Sequence, residues 1–234
     1  MQKTQLTDLV LAKIGSRPAV PKAKLAGFFI LALIFFTGVR LFGNVAIEVI
    51  ANRHSASTAP IPISVGAYRL LVPKNLIRDK RQRRTGELSE LNLYMRWPEL
   101  SGYSYEQSLD FNTLNNIVLV SIRTPASLSD QSRYMQLTEP GETGSSGLEL
   151  RPFIPGKGFD EEVVALGERP AAVPFVARCF RNEMADALSA PCERHLPFEG
   201  NLVLVYRFPA GLLKEWRVLD DRIRERARGL LQDG

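Results

Sequence analysis

The sequence predicts a single N-terminal transmembrane helix followed by an exported, mainly-β (α+β) domain, sandwich- or barrel-like, closed by a C-terminal amphipathic helix. Three observations predict it. An apolar run, Leu25 to Val39, follows a basic tail; short β-branched runs divided by Pro, Gly and Asn come next; and a helical apolar stripe ends the chain.

Residues 1–24 read as a cytoplasmic tail, in which Leu6, Leu9, Val10 and Ile14 share one helical face beside the bilayer. The unbroken apolar core of the next segment is shorter than the roughly 20 residues that cross a bilayer. Arg40 ends it, and an arginine near a helix end can reach the headgroups, so the span is read as 25–45. Phe28 to Phe36 is apolar on every face, which disfavours a buried soluble helix. Lys13, Arg17, Lys22 and Lys24 precede the span, against Arg40 and Arg53 after it, so the N-terminus is expected inside and the domain outside. The rival reading, a cleaved signal, would place Asn44-Val45-Ala46 at the cleavage site, where the Asn position wants a small residue. No asparagine stands in an N-x-Ser/Thr sequon, which favours a bacterial inner membrane with a periplasmic domain over a secretory-pathway surface.

Residues 46–62 read as a linker, small, polar and proline-bearing, in which nothing is expected to hold His54. The domain is then 63–234, enough chain for one core. Expected strands are Ile63–Val72, Leu91–Trp97, Ile117–Ile122, Tyr134–Leu137, Leu148–Arg151, Glu162–Leu166, Val173–Phe180 and Leu202–Phe208, with 123–147 a polar, mobile loop. Runs such as Ile117–Val120 and Leu202–Val205, apolar on both faces, suit central strands. Pro209 ends the last of these and opens a helix over 210–231, whose stripe is Leu212, Trp216, Leu219, Ile223 and Leu230, packed on the domain or on a partner. Asp220 and Arg224 are read as an ion pair on its opposite, solvated face.

The only two cysteines, Cys179 and Cys192, are too few for a zinc site and are expected to form a disulfide pinning the long connection of a hairpin between Val173–Phe180 and Leu202–Phe208. His195 is expected on the surface of that connection. No nucleophile elbow, phosphate loop, dinucleotide fingerprint or metal-ligand spacing occurs, and Asp160-Glu161-Glu162 reads as a solvated charge run. No catalytic residue, metal or cofactor is therefore expected. The formal net charge is +5, and its strongest local concentration is Lys74, Arg78, Lys80, Arg81, Arg83 and Arg84. In the cytosol such a cluster would point to nucleic acid. Outside the membrane it points to an anionic lipid or glycan, with no nucleic-acid partner, or it is a solvated turn. The function expected is a membrane-held accessory or scaffold protein making protein contacts in an envelope assembly, beside membrane lipid; the alternative is anionic lipid or glycan binding through 74–84, and an enzyme of unrecognised type stands third.

Overall fold

A computed structural model describes Thr37 and residues 54–108, 116–124, 131–169, 173–181 and 188–232. The tail at 1–24 lies outside the described residues, and so does the expected span at 25–45 apart from Thr37. Among the described residues no helix is long and apolar enough to cross a membrane. Residues 51–234 form one compact unit.

That unit is mainly β, with two sheets and a C-terminal helix. β1 (Pro60–Val65), β2 (Tyr68–Pro73) and β3 (Gly86–Leu88) make a small sheet in the order β2-β1-β3. The single expected strand Ile63–Val72 is instead a hairpin in which Val65 pairs with Tyr68. Gly66 supplies the positive φ, 58°, that a two-residue hairpin loop demands. β1 also starts within the stretch read as linker.

The large sheet holds eight strands. They are β4 (Glu90–Arg96), β5 (Ile117–Arg123), β6 (Glu142–Thr143), β7 (Leu148–Pro152), β8 (Glu162–Gly167), β9 (Phe175–Phe180), β10 (Cys192–Phe198) and β11 (Leu202–Phe208), in the order β4-β5-β11-β10-β9-β8-β7-β6, all antiparallel. Two short helices, α1 (Tyr105–Ser108) and α2 (Gln131–Gln136), interrupt the strands, and α3 (Trp216–Arg228) follows a 3-10 segment over Ala210–Glu215.

Two strand expectations fail here. Cys192–Phe198 is a strand, not a loop, and it lies between β9 and β11, so those two do not form a hairpin. Its inward row is Cys192, Arg194, Leu196 and Phe198; the arginine hides the alternation from a reading of hydrophobicity. Pro197 is tolerated because β9 pairs only with Cys192–Arg194, leaving that edge open where the proline lacks its N–H. Tyr134–Leu137 is the second. It belongs largely to α2; Tyr134 on the helix and Leu137 just past its end pack on a small cluster of Phe153, Val164 and Val176.

The main core lies between the large sheet, the small sheet and α3. Leu212, Trp216, Leu219, Ile223 and Leu230 are all buried in it. Trp216 rests on Phe175 with ring centroids 4.9 Å apart and donates Nε1–H to the carbonyl of Ser146 at 3.0 Å. Gly167 makes room for it, since a Cβ there would lie 2.7 Å from the indole. Asp220 is not on the solvated face. Its carboxylate is fully buried, where Oδ1 accepts from Arg194 Nε at 2.9 Å and Tyr206 Oη at 2.8 Å. Oδ2 accepts from Arg169, and Arg224 stands 4.0 Å away. Burial beside this carboxylate pushes the Tyr206 phenol well above its usual range. Cys179 and Cys192 are joined, facing each other across β9 and β10 with Cα atoms 4.0 Å apart.

Candidate functional site

One face of the large sheet meets the core; at β4, β5, β11 and β10 the other face sets Glu90, Asn92, Ser121, Arg123, Arg207, Glu193 and His195 among the apolar Leu119 and Val205. Register places these groups in rows. Asn92 pairs with Ser121, Ser121 with Val205 and Val205 with His195. One row over, Glu90 pairs with Arg123; on the other side Leu119, Arg207, Glu193 and Arg178 succeed one another across β5, β11, β10 and β9. With Arg78 from the basic segment, the members of these rows on β4, β5, β11 and β10 line an open groove of about 220 Å³.

Glu193 is the electrostatic centre. His195 Nε2 lies 2.6 Å from its Oε1, Arg207 Nε 3.6 Å from Oε2 and Arg178 Nη2 4.0 Å from Oε1. The His195 hydrogen bond holds the Glu193 carboxyl below its ordinary pKa. Glu162 is held above its own, chiefly by burial, despite Arg178 at 3.1 Å. Ser121 Oγ lies 2.5 Å from Glu90 Oε1 and 2.7 Å from Asn92 Oδ1, two acceptors between which its single proton is shared. Ser121 and His195 both flank Val205, so two strand spacings, roughly 9–10 Å, separate them. Hydroxyl and imidazole are each engaged by a glutamate, not by one another. Against these two glutamates stand three arginines, and among the described residues Arg78 and Arg123 have no ion-pair partner.

The basic segment is built differently from a solvated turn. It lies along the outer edge of β4: Arg78 N donates to Asn92 O at 2.9 Å and Ile77 bridges Leu93. The Gln82 side chain accepts from Asn92 N and donates to Glu90 O, as a neighbouring strand would. Arg83 folds inward and donates to the carbonyls of Ile77 and Arg78. Arg81 pairs with Asp79, whose carboxyl that hydrogen bond lowers and which also caps the 3-10 turn Lys80–Gln82. Lys74 heads another such turn, and Lys80, Arg81 and Arg84 are exposed. Of the six, only Arg78 joins the groove.

Two sequence expectations change. His195 stands on β10, half-buried against Glu193, instead of on a loop, and His54 stacks on Tyr103 at 4.8 Å instead of standing unsupported. The sequence reading missed Glu90, Asn92, Ser121, Arg123, Glu193 and Arg207 as a group. The signal available was the polar residue at alternate positions of otherwise apolar strands, but register alone makes it a face. In the former charge run, Asp160 accepts from Gly156 N at 3.2 Å, closing a turn.

No protein-family model matches the chain, and no curated protein matches its sequence. Among solved structures it is similar to an immunity protein of the Stenotrophomonas maltophilia type IV secretion system, with a TM-score of 0.53 and 10% identity over 76% of this chain and 95% of that one. It is also similar to the Neisseria meningitidis iron-regulated outer membrane lipoprotein FrpD, with a TM-score of 0.47 and 10% identity over 77% and 96% of the two chains. At such identity the first likeness is one of fold.

Proposed function

We propose that this chain is a bitopic inner-membrane protein whose periplasmic domain holds another envelope protein, without catalysing a reaction, through the outer face of its large sheet. The observation that carries the reading is the open groove, in which three arginines converge from three elements around two engaged glutamates. Side chains already bound to one another in this way offer a surface for recognition, with the Ser121 hydroxyl held by Glu90 and the His195 imidazole by Glu193. The Cys179–Cys192 disulfide supports an oxidising compartment, and the charge asymmetry about 25–45 supports the cytoplasmic N-terminus. The shared fold with a secretion-system immunity protein is compatible with a binding role.

A photo-reactive residue in place of Leu119, on the groove floor, tests this in intact cells. The reading expects a discrete crosslinked protein that disappears with Arg123→Glu. A groove that captures no protein while the chain is correctly inserted refutes it. A second reading, binding of anionic lipid or glycan through 74–84, draws on the exposure of Arg78, Lys80, Arg81 and Arg84. Lys80→Gln, Arg81→Gln and Arg84→Gln together test it without disturbing Arg83, which braces the loop; unchanged binding to anionic vesicles excludes it.

A further inference from the structure

Two cations of the groove have carboxylates beside them that are committed elsewhere. Glu90 is in register with Arg123 across β4 and β5, the placement in which opposite charges ordinarily attract each other. Its Oε1 instead lies 2.5 Å from Ser121 Oγ, and among the described residues no ion pair joins Glu90 to Arg123. Asp79 adjoins Arg78 in the chain but gives its carboxylate to Arg81, which donates from its backbone N at 2.9 Å, from Nε at 3.3 Å and from Nη2 at 3.0 Å. Arg78 and Arg123 thus line the groove with no carboxylate in ion-pair contact. Arg78 enters across Asn92, and Arg123 stands two residues along β5 from Ser121. The third arginine, Arg207, already leans on Glu193, with Nε 3.6 Å from Oε2.

Charge, size and floor define what would complete this arrangement. Three arginines and two glutamates line the groove, a surplus of one positive charge when His195 is counted as neutral. A monoanion balances that surplus, whereas the second charge of a dianion would be repelled by Glu90 and Glu193. At about 220 Å³ the groove is smaller than the roughly 300–1,000 Å³ clefts that enclose small molecules, and it suits one side chain better than a run of chain. Leu119 and Val205 give it an apolar strip that the methylenes of a glutamate would cover and the oxygens of a phosphodiester would not. The planar forks of arginines match the two oxygens of a carboxylate.

From this arrangement we infer that the groove seats a single acidic side chain of the protein partner, its carboxylate accepting from Arg78 and Arg123 and its methylenes resting on Leu119 and Val205. This rests on the binding role proposed above and names the group that role recognises.

The test uses the full chain in neutral detergent micelles, labelled on Leu and Val methyl groups, and follows Leu119 and Val205 by nuclear magnetic resonance. The probes are N-acetyl-Ala-Glu-Ala amide, the same tripeptide with Gln, and dimethyl phosphate, a monoanionic diester like that of a lipid headgroup. The Glu tripeptide is expected to bind saturably in the millimolar range, at least tenfold tighter than the Gln tripeptide. Arg78→Gln and, separately, Arg123→Gln should each weaken it several-fold at unchanged melting temperature. A variant with Lys80→Gln and Arg84→Gln should stay within about twofold of wild type. Arg81 is kept in that control because it engages Asp79, which would otherwise be open to Arg78. Equal binding of the two tripeptides, or no saturable shift with either, overturns the inference. A Lys80 and Arg84 variant as weak as the groove variants also overturns it, in favour of unspecific charge attraction. Dimethyl phosphate that binds as tightly as the Glu tripeptide, with the same dependence on Arg78 and Arg123, overturns it in favour of a headgroup. A protein crosslinked at position 119 together with an indifferent Glu tripeptide discards the carboxylate and keeps the binding role. No crosslinked protein discards the binding role and, with it, the protein source of the side chain.

Discussion

Asp220→Ala is the substitution that bears most directly on how this domain is held together. Asp220 is fully buried and accepts from Arg194, itself fully buried, and from Tyr206 and Arg169. Removing the carboxylate leaves the Arg194 guanidinium with the Pro174 carbonyl at 3.0 Å, the more distant Val176 carbonyl and the face of Phe175 at 4.6 Å. These contacts orient the cation but do not neutralise it. Breaking a buried pair from one side costs about 3–5 kcal/mol. At about 2–4 °C per kcal/mol for a domain of this size, the melting temperature should fall by roughly 6–20 °C. Asp221→Ala is the internal control. Asp221 also meets Arg169, at 2.5 Å, but its side chain is 61% exposed, and such pairs contribute about 0.2–1 kcal/mol. Thermal melts of the full chain in micelles, followed by near-ultraviolet circular dichroism, compare the two. An Asp220→Ala protein that melts within a degree or two of wild type, or an Asp221→Ala protein destabilised as much, would refute the assignment of the network as a structural centre.

Three further outcomes are expected. Trp216→Ala should cost about 3–5 kcal/mol, the usual range for an excised core aromatic, and be seen as protease sensitivity; normal stability with loss of a crosslinked partner would make the stripe an interface. Cys179→Ser with Cys192→Ser should cost about 2–3 kcal/mol in urea unfolding, as expected for a short closed loop across the 13-residue separation, and alkylation of the unreduced wild type should add no label. Glu193 has its folded pKa below the ordinary 4.5, so its stabilising share is complete above that value and lost as pH falls through the lowered one. Glu193→Gln should therefore melt below wild type at pH 7, and the gap should close as pH falls below 4.5 and through the lowered pKa; a gap that is constant in pH would place the effect in packing.

The parts of the fold legible in the sequence are those in which periodicity and burial agree. β5 and β11 carry continuous apolar runs and each is flanked by a strand on both sides, and the stripe of α3 keeps helical spacing from Trp216 to Ile223 because one face meets the core. Legibility fails where a polar residue is buried. Arg194 breaks the inward row of β10 and Asp220 sits beside the stripe of α3; each looks solvated alone and is intelligible only with the other, 26 residues away. The groove was illegible for a related reason. Its side chains come from β4, β5, β10, β11 and the basic segment, and only strand order brings Ser121 and His195 to either side of Val205.

The basic segment shows why a charge cluster is a poor guide to a ligand until its backbone is known. An edge strand with free N–H and C=O groups invites another chain, and natural sheets blunt such edges with a covering loop and with positive charge. Residues 77–82 do both for β4, through the Arg78, Ile77 and Gln82 contacts that imitate a ninth strand. Edge protection thus accounts for Lys80, Arg81 and Arg84 without any bound anion, and Arg83 serves the loop itself. It does not account for Arg78, because the backbone bond that caps the edge also sets this side chain at the level of Ser121, where the groove opens. One eleven-residue stretch of sequence therefore carries two separable roles, and variants at Arg78 and at the three exposed loop cations should have different phenotypes even though each removes only positive charge.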